Sequence, residues 1–157
     1  MSELATFGAG CFWGVEEAFR GRPGVLATTV GYAGGDVAEP TYQQVCTDST
    51  GHAEVVQVEF DPDHISYQRL LDLFFSIHNP TLVNRQGADV GRQYRSVVFT
   101  HSPEQAAAAE AAKRRIDEAG FLPKPVATEI TAAGPFWPAE EDHQQYFAKR
   151  GGGGCHV

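Results

Sequence analysis

A cysteine set in Gly10-Cys11-Phe12-Trp13-Gly14, a glutamate opening Glu54-Val55-Val56, and a cysteine behind four consecutive glycines in Gly151-Gly152-Gly153-Gly154-Cys155 offer the most chemistry in this chain. A thiol becomes a useful nucleophile when its pKa falls. The start of a helix, with unpaired N–H groups and the positive end of the dipole, stabilises the thiolate. Cys11 reads as such a position. Ala5-Thr6-Phe7-Gly8-Ala9 before it has the character of a short buried strand, and Val15, Ala18 and Phe19 after it share one helix face, which stops at Gly21-Arg22-Pro23-Gly24. The competing reading is a cysteine that simply packs, since unpaired cysteine is among the most buried residue types. Gly10 and Gly14 admit close approach of backbone or ligand, and two aromatics beside the thiol suit an apolar group.

Ala53 to Phe60 is the clearest strand, with Val56, Val58 and Phe60 on one face and Val55, Gln57 and Glu59 on the other. Glu54 falls in phase with the apolar set. Desolvation there raises a carboxyl pKa and keeps a proton available for general-acid work, but strand ends are usually exposed, and on phase alone Glu54 reads as reaching water. Cys155 follows a glycine run whose ordering is entropically costly, so a thiol on a mobile arm is expected. A tethered thiol and a helix-start thiol are what a transient intramolecular disulfide needs; the alternative is an incidental cysteine at a disordered end.

The elements that must position these groups follow from periodicity and punctuation. Val25 to Val30 reads as a second strand, Gly31 to Gly35 as a turn-rich loop lacking phosphate-loop chemistry, and Pro40 to Val45 as one helical turn. Asp63 or Ser66 can cap a helix through Leu70, Leu71, Phe74, Phe75 and His78, closed by Asn79-Pro80; His78 reads as structural or capping. Residues 79–93 form a long polar connection, and Tyr94 to Thr100 resumes strand character. Ser102-Pro103-Glu104-Gln105 opens a helix with a capping box, ending at Ala119 with Gly120 as its cap. Val126 to Thr131 supplies a further strand, Gly134 to Pro138 a rigid aromatic turn, and Glu140 to Lys149 a last helix in which His143 reads as a packed or hydrogen-bonded residue.

With 157 residues, 42% hydrophobic and 20% charged, the composition is that of one soluble domain with a sizeable core. A net charge of −8 argues against nucleic acid or an anionic membrane surface as the main partner. Met1-Ser2-Glu3-Leu4 has neither a basic region nor an apolar run, and no stretch approaches the ~18 apolar residues of a membrane span, so a cytoplasmic protein is expected. In that reducing setting a pairing among Cys11, Cys46 and Cys155 is expected to be transient rather than structural. No Cys-x-x-Cys or His-Glu-x-x-His spacing is present, and neither metal nor cofactor is expected.

Taken in order, Gly10-Cys11-Phe12-Trp13-Gly14, Gly31-Tyr32-Ala33-Gly34-Gly35, Thr41-Tyr42, Gly51-His52-Ala53-Glu54-Val55-Val56, Gln93-Tyr94-Arg95-Ser96, Phe136-Trp137-Pro138-Ala139-Glu140 and His143-Gln144-Gln145-Tyr146 resemble the A class of peptide-methionine sulfoxide reductases over almost the whole chain. The resemblance implies an α+β fold, a single-domain roll with a central mixed sheet flanked by helices and a ferredoxin-like core. Residues 1–150 would form the catalytic domain and residues 151–157 a flexible tail. It implies reduction of the S epimer of methionine sulfoxide, free or in proteins, as a repair step after oxidative damage. By similarity Cys11 attacks the sulfoxide sulfur, Glu54 protonates its oxygen, and Tyr42 and Tyr94 hold that oxygen. Phe12 and Trp13 would line the pocket for the ε-methyl, and Asp89 would position substrate or water. Cys11 is left as a sulfenic acid, Cys155 condenses with it to a disulfide, and thioredoxin reduces the pair; a monomer is expected. Trp137 stands where the family commonly has tyrosine and Arg92 where threonine is frequent, and Cys46 reads as structural. The alternative function is a cysteine-dependent hydrolase using Cys11 with His52 or His143 as base.

Overall fold

The computed structural model describes residues 2–47 and 49–149. In chain order the elements are β1 (Glu3–Ala9), α1 (Phe12–Phe19), β2 (Val25–Ala33), α2 (Tyr42–Cys46), β3 (Ala53–Phe60), α3 (Tyr67–Ser76), β4 (Arg85–Gln86), β5 (Asp89–Val90), a 3-10 turn (Arg92–Tyr94), β6 (Ser96–Thr100), α4 (Pro103–Ala119), β7 (Glu129–Ala132), β8 (Phe136–Pro138), a second 3-10 turn (Glu141–His143) and α5 (Tyr146–Lys149). Six strands form one sheet in the order β7-β6-β1-β3-β2-β8, and among the described residues β4 pairs with β5 alone. All pairings are antiparallel except β6 with β7, so the sheet is mixed. Within it, β1-α1-β2-β3-α3-β6 with spatial order β6-β1-β3-β2 is the split βαβ arrangement of a ferredoxin-like core, as expected.

The two-residue period of the strands divides the core into two faces. Phe7 of β1 and Val56, Val58 and Phe60 of β3 face α1 and α3, where Phe7 stacks on Phe19 at 5.2 Å and on Phe74 at 5.1 Å. Ala33, Ala53, Val55, Val97 and Phe99 make a smaller cluster on the other face. Ser66, rather than Asp63, caps α3 through a bond from the Arg69 amide. Ser102 caps α4, but Gln105 does not close the box on Ser102: its Oε1 accepts from His101 N–H and its Nε2 donates to Leu4 O, tying the helix to β1. Gly120 ends α4 at φ 71°.

Four segments differ from the sequence reading. β2 continues through Gly31, Tyr32 and Ala33, because β3 pairs with it on one side and β8 on the other. Residues 136–138 are therefore strand rather than turn, and Gly31 makes this possible: a Cβ there would meet the Trp137 carbonyl and, at 2.7 Å, the Phe136 ring. The expected final helix is broken at Gln144-Gln145. Gln144 works as an extra edge strand, its Oε1 accepting from Val30 N–H at 2.9 Å and its Nε2 donating to Val30 O at 2.9 Å. Residues 79–93 fold back as the β4/β5 hairpin under the Gln86 side chain, which bonds both the amide and the carbonyl of Asn79.

Candidate active site

β1 delivers Cys11 to the mouth of α1, where it is the N-cap residue with extended backbone (φ −60°, ψ 122°). This is the strand-to-helix hand-over that the sequence predicts. Adjacent to it, the Phe12 amide, one of the N–H groups that a helix start leaves unpaired, donates to Glu54 Oε1 at 3.2 Å. β3 holds Glu54 in register with Tyr32 of β2, on the α1 face, so the carboxyl is 1% exposed rather than solvated. Its second oxygen, Oε2, is buried without a hydrogen-bond partner among the described residues. Burial is the main reason that the Glu54 pKa is pushed up to about 8; the Phe12 bond opposes the shift and the charge of Asp89 adds to it. At neutral pH this carboxyl holds its proton.

Two phenols share the cluster. Tyr42 opens α2 behind a complete capping box on Thr41, and Tyr94 ends the first 3-10 turn. Desolvation first, and the Glu54 charge second, push both hydroxyls above their ordinary pKa, which leaves them as O–H donors. Tyr42 is anchored through its amide to Glu140 Oε2 at 3.2 Å, and Glu140 Oε1 accepts from the fully buried Tyr32 at 3.2 Å. Asp89, on β5, is exposed but close enough for its charge to act on both Glu54 and Tyr94. Cys46, expected to be structural, is an exposed residue at the end of α2, four residues after Tyr42.

The aromatics gather beside the thiol. Phe12 has no exposed surface and backs Tyr42 and His143, whereas Trp13 is partly exposed. The Trp13 indole donates to His143 Nδ1 at 3.0 Å, and Tyr146 stacks on it at 3.8 Å with 9° between the planes. Tyr42 and His143 lie 4.3 Å apart. His143 is thus hydrogen-bonded and packed as expected, but it and Tyr146 also complete the aromatic wall. Their spacing of three residues hints at a shared face, yet the partner that unites them, Trp13, is far away in sequence.

His52 cannot serve as a base for Cys11. It is 2% exposed, its Nδ1 accepts from Gly35 N–H at 3.0 Å and its Nε2 donates to Val37 O at 2.7 Å, so both ring nitrogens are occupied in bracing the β2–β3 end. His78 is likewise held between Phe74 O and Ser96 Oγ. Among the described residues no group of three or more His, Cys, Asp or Glu is placed to hold a metal ion. Cys155 and the glycine run lie outside the described residues.

A sulfur nucleophile set against a carboxyl that keeps its proton is suited to reactions in which oxygen must be protonated as sulfur attacks, the chemistry of thiol-dependent reductases rather than of Cys-His hydrolases. Comparison with known proteins gives the same class. A family model described as peptide methionine sulfoxide reductase matches residues 3–157, and the chain belongs to that family. The peptide methionine sulfoxide reductase MsrA of Methanoculleus marisnigri is 63% identical over 155 residues, 99% of this chain and 94% of that protein. The reduced form of Mxr1 from Saccharomyces cerevisiae superposes with a TM-score of 0.87 at 38% identity, covering 97% of this chain and 87% of its own. Mxr1 in complex with Trx2 superposes with a TM-score of 0.63 at 27% identity, covering 99% and 88%. The protein is an enzyme that reduces methionine sulfoxide.

Proposed function

We propose that the chain reduces the S epimer of methionine sulfoxide, free or in proteins, with Cys11 as nucleophile and Glu54 as acid. The observation that carries this reading is the Glu54 carboxyl: buried, protonated at neutral pH, pinned at Oε1 by the amide next to Cys11, and unpartnered at Oε2 among the described residues. A sulfoxide oxygen accepting a hydrogen bond from that second oxygen would relieve an unsatisfied buried polar atom. Tyr42 and Tyr94 would donate to the same oxygen. Trp13 would meet the ε-methyl, with Phe12 supporting the wall from behind, and Asp89 would orient substrate or water.

Cys11 thiolate forms a bond to the sulfoxide sulfur as the Glu54 proton passes to the oxygen. The S–O bond then breaks as hydroxide departs and adds to Cys11 Sγ, the S–S bond just formed breaks with its electron pair passing to methionine, and Cys11 is left as a sulfenic acid. Cys155, on the tail of residues 151–157 beyond the catalytic domain of residues 1–150, condenses with it, releasing water and forming a Cys11–Cys155 disulfide. A dithiol reduces that disulfide and is itself oxidised. The Trx2 complex of the yeast relative supports thioredoxin as that dithiol. Cysteines that must return to thiols fit a reducing compartment, and we place the enzyme in the cytoplasm as a monomer.

The test is a single turnover without reductant on a peptide containing methionine S-sulfoxide, counting methionine and thiols. The expected result is methionine with two thiols lost from the three cysteines. Loss of one thiol alone would remove Cys155 from its role, and no methionine from either epimer would overturn the assignment of Cys11 and Glu54.

A further inference from the structure

We propose that Glu16 is a positioning residue for this reaction: through the Gln145 amide it fixes the turn that seats His143 and Tyr146 on Trp13, and so shapes the sulfoxide-binding wall from behind. Glu16 lies on α1, five residues after Cys11, and is 1% exposed. A carboxylate in such a place is costly unless it is hydrogen-bonded. Each of its oxygens has one donor. Thr28 Oγ1 of β2 donates to Oε2 at 2.7 Å, and the Gln145 N–H donates to Oε1 at 2.6 Å. One side chain therefore joins the helix that carries Cys11 and Trp13, the sheet, and the segment that continues towards Cys155.

The Gln145 bond holds an unusual backbone. Gln145 has φ 52°, in the left-handed region that costs a residue with a Cβ, and such conformations persist only where the surroundings over-determine them. Its side chain is exposed, so the constraint acts through its backbone: Glu16 on the amide side, and Gln144 clamped on Val30 just before it. This turn ends the 3-10 segment at His143 and starts α5 at Tyr146. It brings two rings to one indole: His143 as acceptor of the Trp13 N–H at 3.0 Å, and Tyr146 stacked at 3.8 Å. Without the buried acceptor, the amide at a strained position loses its partner and the two rings lose their common seat.

The proposal rests on Trp13 forming part of the sulfoxide wall, and the experiment separates the two ideas. In the full chain with Trp137→Phe, so that Trp13 is the remaining one of the two tryptophans, Glu16→Ala, Glu16→Gln and Gln145→Pro are compared by Trp13 emission and by single-turnover methionine formation. Glu16→Ala and Gln145→Pro are expected to shift the emission. Both should raise the half-saturating sulfoxide concentration roughly tenfold and leave the saturated rate within about threefold, the pattern of lost uniform binding. Glu16→Gln keeps an acceptor for the Gln145 amide and an amide to pair with Thr28, and should restore both readouts. Gln145→Pro removes only an N–H and the positive φ from an exposed residue, so it carries the test if Glu16→Ala does not fold. Unchanged emission and half-saturation in the folded variants, or a Gln variant as impaired as Ala, would overturn the role of Glu16. A shifted emission with unchanged half-saturation would overturn the proposal by showing that Trp13 is not the wall.

Discussion

Glu54 is the residue on which the proposed chemistry turns, and its environment makes quantitative demands on both rate and stability. Replacing it with Gln keeps the shape and an acceptor for the Phe12 amide but removes the transferable proton. Methionine formation in a single turnover should fall by about 10²–10⁴-fold, while Cys11 remains open to alkylation. In the parent enzyme the same rate should decline as pH rises through about 8, where the carboxyl ionises, and Glu54→Gln should lack that limb. The stability consequence has the opposite sign from that of a salt-bridged carboxylate. Below the ordinary carboxyl pKa both folded and unfolded chains are protonated and nothing is lost; between there and about 8 the unfolded chain releases a proton that the folded one keeps, so stability falls as pH rises. Glu54→Gln should therefore gain on the parent by up to ~1.4 kcal/mol per pH unit across that window in denaturant titrations, with a constant difference above and below it. A flat difference across the window would mean that Glu54 is solvated in the folded enzyme.

At the scale of elements, the aromatic wall depends on an edge strand that nothing in local sequence announces. β8 lies close against β2 because Gly31 has no side chain, and the chain then passes directly into Ala139, Glu140 and the His143 turn. Gly31→Ala should push β8 outward, lowering stability by about 1–3 kcal/mol, typical of overpacking, and loosening Tyr146 from Trp13. Thermal melting together with Trp13 emission in the Trp137→Phe background checks this; a melt unchanged from the parent would show that β8 can yield without consequence. Residues 136–138 spell a turn in the sequence for the same reason. Pro135 and Pro138 look like turn residues until an edge position, where proline is tolerated, is supplied by β2. The sequence spells a continuous last helix because Gln144 and Gln145 have ordinary helical propensity; their bonds to Val30 and Glu16 override it.

For the whole molecule, the proposed cycle divides between Cys11 with Glu54, which would reduce the sulfoxide, and Cys155, which would resolve the sulfenic acid. Cys155→Ser should leave the first single turnover intact, with one thiol lost rather than two, and should abolish sustained turnover with thioredoxin; undiminished turnover would exclude Cys155 as the resolving thiol.

Much of the site was legible before any coordinates. The hand-over at Cys11 follows from a buried run ending at glycine and a helix period beginning beyond it, a local periodicity that a chain states about itself; the phase of Glu54 with Val56, Val58 and Phe60 points it to the apolar face, but its strand-end position reads as solvated until the register of β3 with β2 buries it. The family motifs, in order along the chain, added the class of reaction. Only the tertiary structure decided that the Phe12 amide meets Glu54, that His52 is consumed by Gly35 and Val37, and that His143 and Tyr146 close on Trp13. Each of these joins residues from separate elements. A hydrogen bond or ring contact between distant segments is set by strand order and register, and neither is written in the spacing of neighbouring residues.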